Sequence, residues 1–249
     1  MRKYSWVFAF TALVLMSFIS TPRKLTIYLI GDSTLAVKSA SAFPETGWGM
    51  PFANFFSKDV LVDNRAKNGR STKTFISENL WAPVASSLQK GDYVLIQFGH
   101  NDEVKTKASY TPEADYVKNL LMFVMESRAK GAIPVLITPV ARRSFDTSGK
   151  VKETHQLYSD LVRELAKSVA VPLIDLDLKS QELLQKYGPE ESKLLFNHLV
   201  AGEHPNYPEG KKDDTHFNEL GARVMAQLVL QEMRALNLPV LQYLVKPAN

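Results

Sequence analysis

LTIYLIGDST, Leu25 to Thr34, is apolar through Ile30 and then breaks into Gly31-Asp32-Ser33-Thr34. A short apolar run ended by glycine reads as a buried strand that stops at a tight turn. A hydroxyl just past the carboxyl end of a strand stands where open α/β sheets carry their chemistry. Ser33 is therefore a candidate nucleophile. On this stretch alone a plain capping serine is the stronger reading, so the rest of the chain has to decide.

Working outward, four more short apolar runs follow. They are Asp59 to Asn64, Tyr93 to Phe98, Ile133 to Thr138 and Val171 to Ile174. Between them lie segments whose apolar residues recur at helical spacing. Thr46 to Ser57 reads as a helix carrying Met50, Phe52, Phe55 and Phe56, and Ser71 or Thr72 caps one carrying Phe75, Ile76 and Leu80. Pro112 to Lys130, Lys152 to Ser168 and a last helix from Phe217 to Leu236 complete the set. Strands separated by helices five times over predict an α/β fold, a parallel five-stranded sheet with helices on both faces. The crossovers should be right-handed. No repeat or linker divides the chain.

The 249 residues are 45% hydrophobic and 22% charged, a globular balance with length enough for one large core. There is no cysteine, which excludes disulfides, thiolate metal sites and a cysteine nucleophile. The first 20 residues read as a signal peptide: Arg2 and Lys3, an apolar run from Trp6 to Met16, then small residues at Ser17 and Ser20. That run is short for a membrane span. The expectation is an exported, periplasmic or secreted protein with a single catalytic domain over 24–249 and no membrane contact once the leader is removed. Losing Arg2 and Lys3 reduces the net charge from +4 to +2, too little to argue for nucleic acid.

Three polar breaks fall just after the first three predicted strands: Ser33, Gly69 and Asn101. A parallel sheet brings all three to one edge. Asp213 and His216 come much later. An Asp-x-x-His turn can place both side chains on one side, so that the carboxylate accepts the imidazole Nδ1–H and leaves Nε2 to take a proton from Ser33. Ser33, His216 and Asp213 would form a triad. The backbone N–H groups of Ser33 and Gly69, with the Asn101 amide, would form an oxyanion hole. Each element alone is ordinary turn or loop chemistry. Five in workable order on one sheet edge are what favour the catalytic reading.

Gly31-Asp32-Ser33, Gly69, Gly99-His100-Asn101-Asp102 and Asp213-x-x-His216 together resemble the four marker blocks of the SGNH (GDSL-type) hydrolases, with Thr34 in place of the common leucine. The resemblance runs in order from about Leu25 to Leu236. It implies a three-layer α/β/α flavodoxin-like sandwich with strand order 2-1-3-4-5, and the Ser, Gly, Asn and His roles given above. Thr46-Gly47-Trp48-Gly49, Asn68-Gly69-Arg70-Ser71, Pro139-Val140-x-Arg142-Arg143 and Asp214-Thr215-His216-Phe217 are most similar to the rhamnogalacturonan acetylesterases. That similarity implies a serine esterase removing acetyl groups from a pectic polysaccharide, acting as a monomer without cofactor or metal. The alternatives are an esterase, lipase or thioesterase of the same superfamily on another acyl ester, such as acetylated xylan, and a catalytically dead carbohydrate-binding protein.

Other residues carry two readings each. Arg70, Arg142 and Arg143 follow strand ends and either face the carboxylates of a polyuronide or make surface ion pairs. Trp48 either stacks on a sugar face or packs in the core. His100 either lines the pocket or makes a structural hydrogen bond. His198 and His204 with His216 match no zinc spacing, and surface or hydrogen-bonded histidines are the better reading.

Overall fold

The computed structural model describes residues 23–245. The signal-peptide expectation for residues 1–20 lies outside them. Five parallel strands form one sheet in the order β2-β1-β3-β4-β5. They are β1 (Leu25–Gly31), β2 (Val60–Asn64), β3 (Tyr93–Gln97), β4 (Ile133–Ile137) and β5 (Leu173–Ile174). β1 lies between β2 and β3, with Leu29 opposite both Asn64 and Leu95. The strand order reverses direction beside β1, the place where such sheets hold their sites.

Period-2 alternation makes two cores. Ile27, Leu29, Leu95, Val135 and Ile137 face one side. There they meet α1 (Gly49–Phe52), α6 (Leu176–Glu191) and α7 (Glu219–Ala235). Tyr28, Ile30, Val94, Ile96 and Leu136 face the other. They pack on α2 (Thr72–Ser77), α3 (Trp81–Ser87), α4 (Glu113–Ala129) and α5 (Gln156–Ser168). Burying both faces is why the central strands read as continuous apolar runs.

Two expectations need correction. The helix expected over Thr46 to Ser57 is only α1 followed by a 3-10 turn at Ala53–Phe55. Thr46 and Trp48 are tied elsewhere, their N–H groups donating to Phe217 and Thr34 carbonyls at 2.8 and 2.9 Å. Gly49 and Pro51 add little helix propensity of their own. The second correction is an unforeseen antiparallel pair, β6 (Phe196–Leu199) with β7 (Lys211–Phe217). Asp213 and His216 lie inside β7, not in a turn leading into the last helix. That helix starts later, at Glu219, with Asn218 as its cap: the side-chain oxygen accepts the Gly221 N–H at 3.0 Å.

Candidate active site

The site is built on the turn after β1. Gly31 ends the strand where a Cβ would lie 2.4 Å from the Gln97 carbonyl oxygen, so only glycine lets β1 run this close to β3. Asp32 is fully buried, and its Oδ1 accepts the Thr34 N–H at 2.9 Å and the Thr34 hydroxyl at 2.8 Å. Burial raises the Asp32 pKa against the opposing pull of these two bonds. The Thr34 oxygen in turn accepts from Gln97 Nε2 at 2.7 Å, and Gln97 Oε1 accepts the Trp48 indole N–H at 2.7 Å. A chain of buried bonds, Trp48–Gln97–Thr34–Asp32, thus fixes the turn that presents Ser33.

Asp213 and His216 reach Ser33 from β7. Phe196 pairs with Phe217 but Asn197 pairs with Asp213, so Asp214, Thr215 and His216 bulge out of the ladder. Such bulges re-aim side chains. Asp213 Oδ1 closes the bulge by accepting the N–H groups of Thr215 and His216, both at 2.9 Å. Its Oδ2 lies 2.9 Å from His216 Nδ1, and His216 Nε2 lies 2.9 Å from Ser33 Oγ. Burial opposes the charge on Asp213, but the side-chain and backbone bonds from His216 outweigh it and hold the carboxyl well below its ordinary range. The unbroken Asp213–His216–Ser33 path is that of a catalytic triad.

The other two expected donors lie on the loops after β2 and β3, the strands that flank β1. Gly69 adopts φ +74 on an open loop, a conformation that suits glycine. Among the described residues neither the Gly69 nor the Ser33 N–H donates to a protein acceptor. Asn101 is nearly buried, and its Nδ2 gives one hydrogen to the Arg70 carbonyl at 3.1 Å, leaving the other free. Asp102, next along, accepts the N–H and hydroxyl of Thr72 at 2.9 and 2.6 Å, and burial pushes its pKa up to about 7. This couples the Asn101 loop to the start of α2, which Ser71 caps.

The residues assigned to substrate contact fare differently. Trp48 is fully buried and committed to Gln97, so it packs in the core and stacks on no sugar. His100 is buried, its Nε2 2.9 Å from the Val140 carbonyl and its ring 4.3 Å from that of His155, so it supports the loop from behind. Arg70 pairs with Glu78 at 2.8 Å. Arg142 donates to the Thr215 hydroxyl at 2.7 Å and lies 3.6 Å from Glu103. Arg143 donates to Asp214 Oδ1 at 2.6 Å, to Ser192 Oγ at 3.0 Å and to the Pro189 carbonyl. Both arginines therefore clamp the bulge that carries the triad. The strands' ends did bring them to the site edge, but the unseen β7 already occupied that edge.

His198 lies 2.8 Å from Asp214, and His204 Nδ1 accepts the Asn206 N–H at 3.2 Å. Neither joins His216. Among the described residues the close group of potential ligands is instead Glu45, Asp213 and His216, whose donor atoms all lie within 4.8 Å of one another. Glu45 and Gln97 escaped the sequence reading, and Thr34 figured there only as a departure from the common leucine. Gln97 carried a signal, being the one amide in the apolar run Tyr93 to Phe98.

Comparison with known proteins bears on the family and the fold. The model of the GDSL-like Lipase/Acylhydrolase family matches residues 29–224. The rhamnogalacturonan acetylesterase RhgT of Bacillus subtilis (strain 168) is 43% identical over 223 residues, 90% of this chain and 95% of that one. The probable rhamnogalacturonan acetylesterase YesY of the same strain is 34% identical, over 88% of this chain and 97% of that one. The crystal structure of Bacillus subtilis protein YxiM superposes with a TM-score of 0.73 at 25% identity, over 87% of this chain. The match spans 58% of the YxiM chain. With these matches and the marker residues gathered at one sheet edge, the chain belongs to the GDSL-like lipase/acylhydrolase family.

Proposed function

We propose that this protein is a serine carboxylic ester hydrolase that removes acetyl groups from acetylated rhamnogalacturonan. The observation carrying the chemistry is the pair of 2.9 Å contacts at His216, to Asp213 on one ring nitrogen and to Ser33 on the other. Ser33 Oγ attacks the acetyl carbonyl while His216 Nε2 takes its proton. The oxyanion forms toward the Ser33 and Gly69 N–H groups and the free Asn101 amide hydrogen. His216 returns the proton to the departing sugar oxygen, which leaves an acetyl-Ser33 ester. A water activated by His216 then adds to that ester, releases acetate and restores the hydroxyl.

Two observations support the substrate. RhgT, at 43% identity, is a rhamnogalacturonan acetylesterase. A groove of about 440 Å³ beside β6 and β7 is lined by Arg143, Lys193, Lys211 and Lys212 against the acids Glu203 and Asp214. It begins close to the triad, with Lys211 Nζ 3.9 Å from Asp213 Oδ2. These lysines take over the role first given to the arginines, as the cations met by a uronate chain. In this reading the protein works as a monomer, exported by its first 20 residues.

The test is acetate release from acetylated rhamnogalacturonan, acetylated xylan and a short lipid ester, by wild type and Ser33→Ala. Rhamnogalacturonan should be the best substrate, and Ser33→Ala should be folded and nearly inactive. Turnover by Ser33→Ala near the wild-type rate would exclude Ser33 as nucleophile. A better rate on xylan or lipid would leave the ester hydrolase and remove the pectic substrate.

A further inference from the structure

Lys38 is a cation almost sealed from water, with 2% of its side chain exposed. Burying an ammonium is costly unless it is paired and hydrogen-bonded. Lys38 Nζ meets both conditions with two partners, one beside the triad and one on the Gly69 loop. It lies 2.7 Å from Glu45 Oε1 and donates to Asn68 Oδ1 at 2.9 Å. Asn68 is the residue before Gly69, the oxyanion donor. Glu45 lies beside the triad, its carboxylate within 4.8 Å of Asp213 and His216 ligand atoms. The segment is held there by the bond from Thr46 N–H to the Phe217 carbonyl, next to His216, at 2.8 Å.

We propose that Lys38 and Glu45 form a positioning pair with two effects. Lys38 ties the Asn68–Gly69 loop to the triad side, so that the oxyanion donor and the histidine keep one spacing. Glu45 supplies a second negative charge beside His216 and favours the imidazolium that forms as Ser33 attacks, while Lys38 limits how far that charge acts. Neither residue touches the reacting atoms. The inference rests on the roles given above to His216 and Gly69.

The charged and titratable groups around His216 set the background. Asp213 is on its Nδ1 and Lys211 lies 3.9 Å from Asp213. Asp32 is buried within the Ser33 turn, His100 and His155 are buried ring to ring behind the Asn101 loop, and Arg142 reaches Thr215. None of these changes in the variants below, so a shift between variants reports the Lys38–Glu45 pair.

The experiment measures kcat and KM against pH on a small neutral acetate ester, with thermal unfolding as control, for Glu45→Gln, Lys38→Met and Asn68→Ala. Removing the Glu45 charge should lower the midpoint of the histidine limb in kcat/KM, and removing the Lys38 charge should raise it, each by about half a pH unit or more. Asn68→Ala, at an exposed loop position, should leave the midpoint in place and lower kcat about tenfold with KM little changed, as for a displaced oxyanion donor. If Lys38→Met does not fold, the downward shift in Glu45→Gln and the pure kcat loss in Asn68→Ala still decide. Wild-type midpoints in both charge variants, with only thermal stability lost, would make the pair a structural ion pair and overturn the inference. Full activity of Ser33→Ala would instead overturn the catalytic assignment on which it rests.

Discussion

Replacing Gln97 with methionine removes the middle of the buried chain beneath Ser33. Methionine nearly conserves volume, so the perturbation is the loss of hydrogen bonds, with little cavity left behind. Two bonds go, the Trp48 indole N–H to Oε1 and Nε2 to the Thr34 oxygen, both 2.7 Å. The indole N–H would be left fully buried without an acceptor, which costs about 1–3 kcal/mol. Thr34 keeps its own O–H on Asp32, so its share is smaller, about 0.5–1.5 kcal/mol. The sum, about 1.5–4.5 kcal/mol, lowers the Tm of a domain this size by about 3–18 °C. Thr34, left with its bonds to Asp32 and the Trp48 N–H, would be held less firmly, and with it the turn carrying Ser33. A misplacement near 1 Å at a nucleophile costs up to about 10² in rate, so kcat on a small acetate ester should fall about tenfold or more. Differential scanning calorimetry and steady-state kinetics measure both. Adding Trp48→Phe supplies the control, because it removes the stranded donor. The double variant should lose less stability than the two single losses added together, since replacing both partners is milder than orphaning one. Strictly additive losses, or an unchanged kcat in a destabilised Gln97→Met, would refute the claim that this chain positions the nucleophile.

Three further outcomes follow from the same geometry. Asn101→Ala should lower kcat by about 10²–10³ and change KM less, because its free amide hydrogen serves charge present only in the transition state; an effect confined to KM would make it a ground-state contact. Arg143→Ala should weaken kcat on a small neutral ester and on the polysaccharide alike, since Arg143 holds the Asp214 bulge, whereas Lys193→Ala with Lys212→Ala, two groove cations away from Asp213, should raise KM on the polysaccharide only, most at low salt. Asp213 is held well below its ordinary 3.8 in the folded protein, so below that pH the unfolded chain binds more protons; the stability Asp213 adds is complete above about pH 4 and is lost as pH falls further. Asp213→Asn should therefore flatten part of the acid limb of a stability-against-pH curve, and an unchanged limb would show that the depressed carboxyl is not coupled to folding.

The sequence by itself determined the sheet and the five marker residues. Strands buried on both faces need continuous apolar runs, so β1, β3 and β4 were visible to within a residue. Chemistry gathered at their carboxyl ends follows from parallel topology alone. Ser33 and Asn101 could be placed because each follows such a run within three residues, and Gly69 because it lies in the polar loop after the second strand, β2. The β6–β7 pair was invisible for the opposite reason. Lys211 to His216 is polar throughout and half exposed, so it carries no apolar alternation, and its pairing with Phe196 to Leu199 is a contact between distant segments. Only the folded chain could decide what the arginines do, because their partners Thr215 and Asp214 lie about 70 residues away in sequence. The same holds for Trp48, whose indole finds its acceptor 49 residues on in Gln97, and for Lys38, which joins Glu45 to Asn68. A side chain's type limits what it can bond to, but its partner is set by which backbones the tertiary fold brings within about 3 Å.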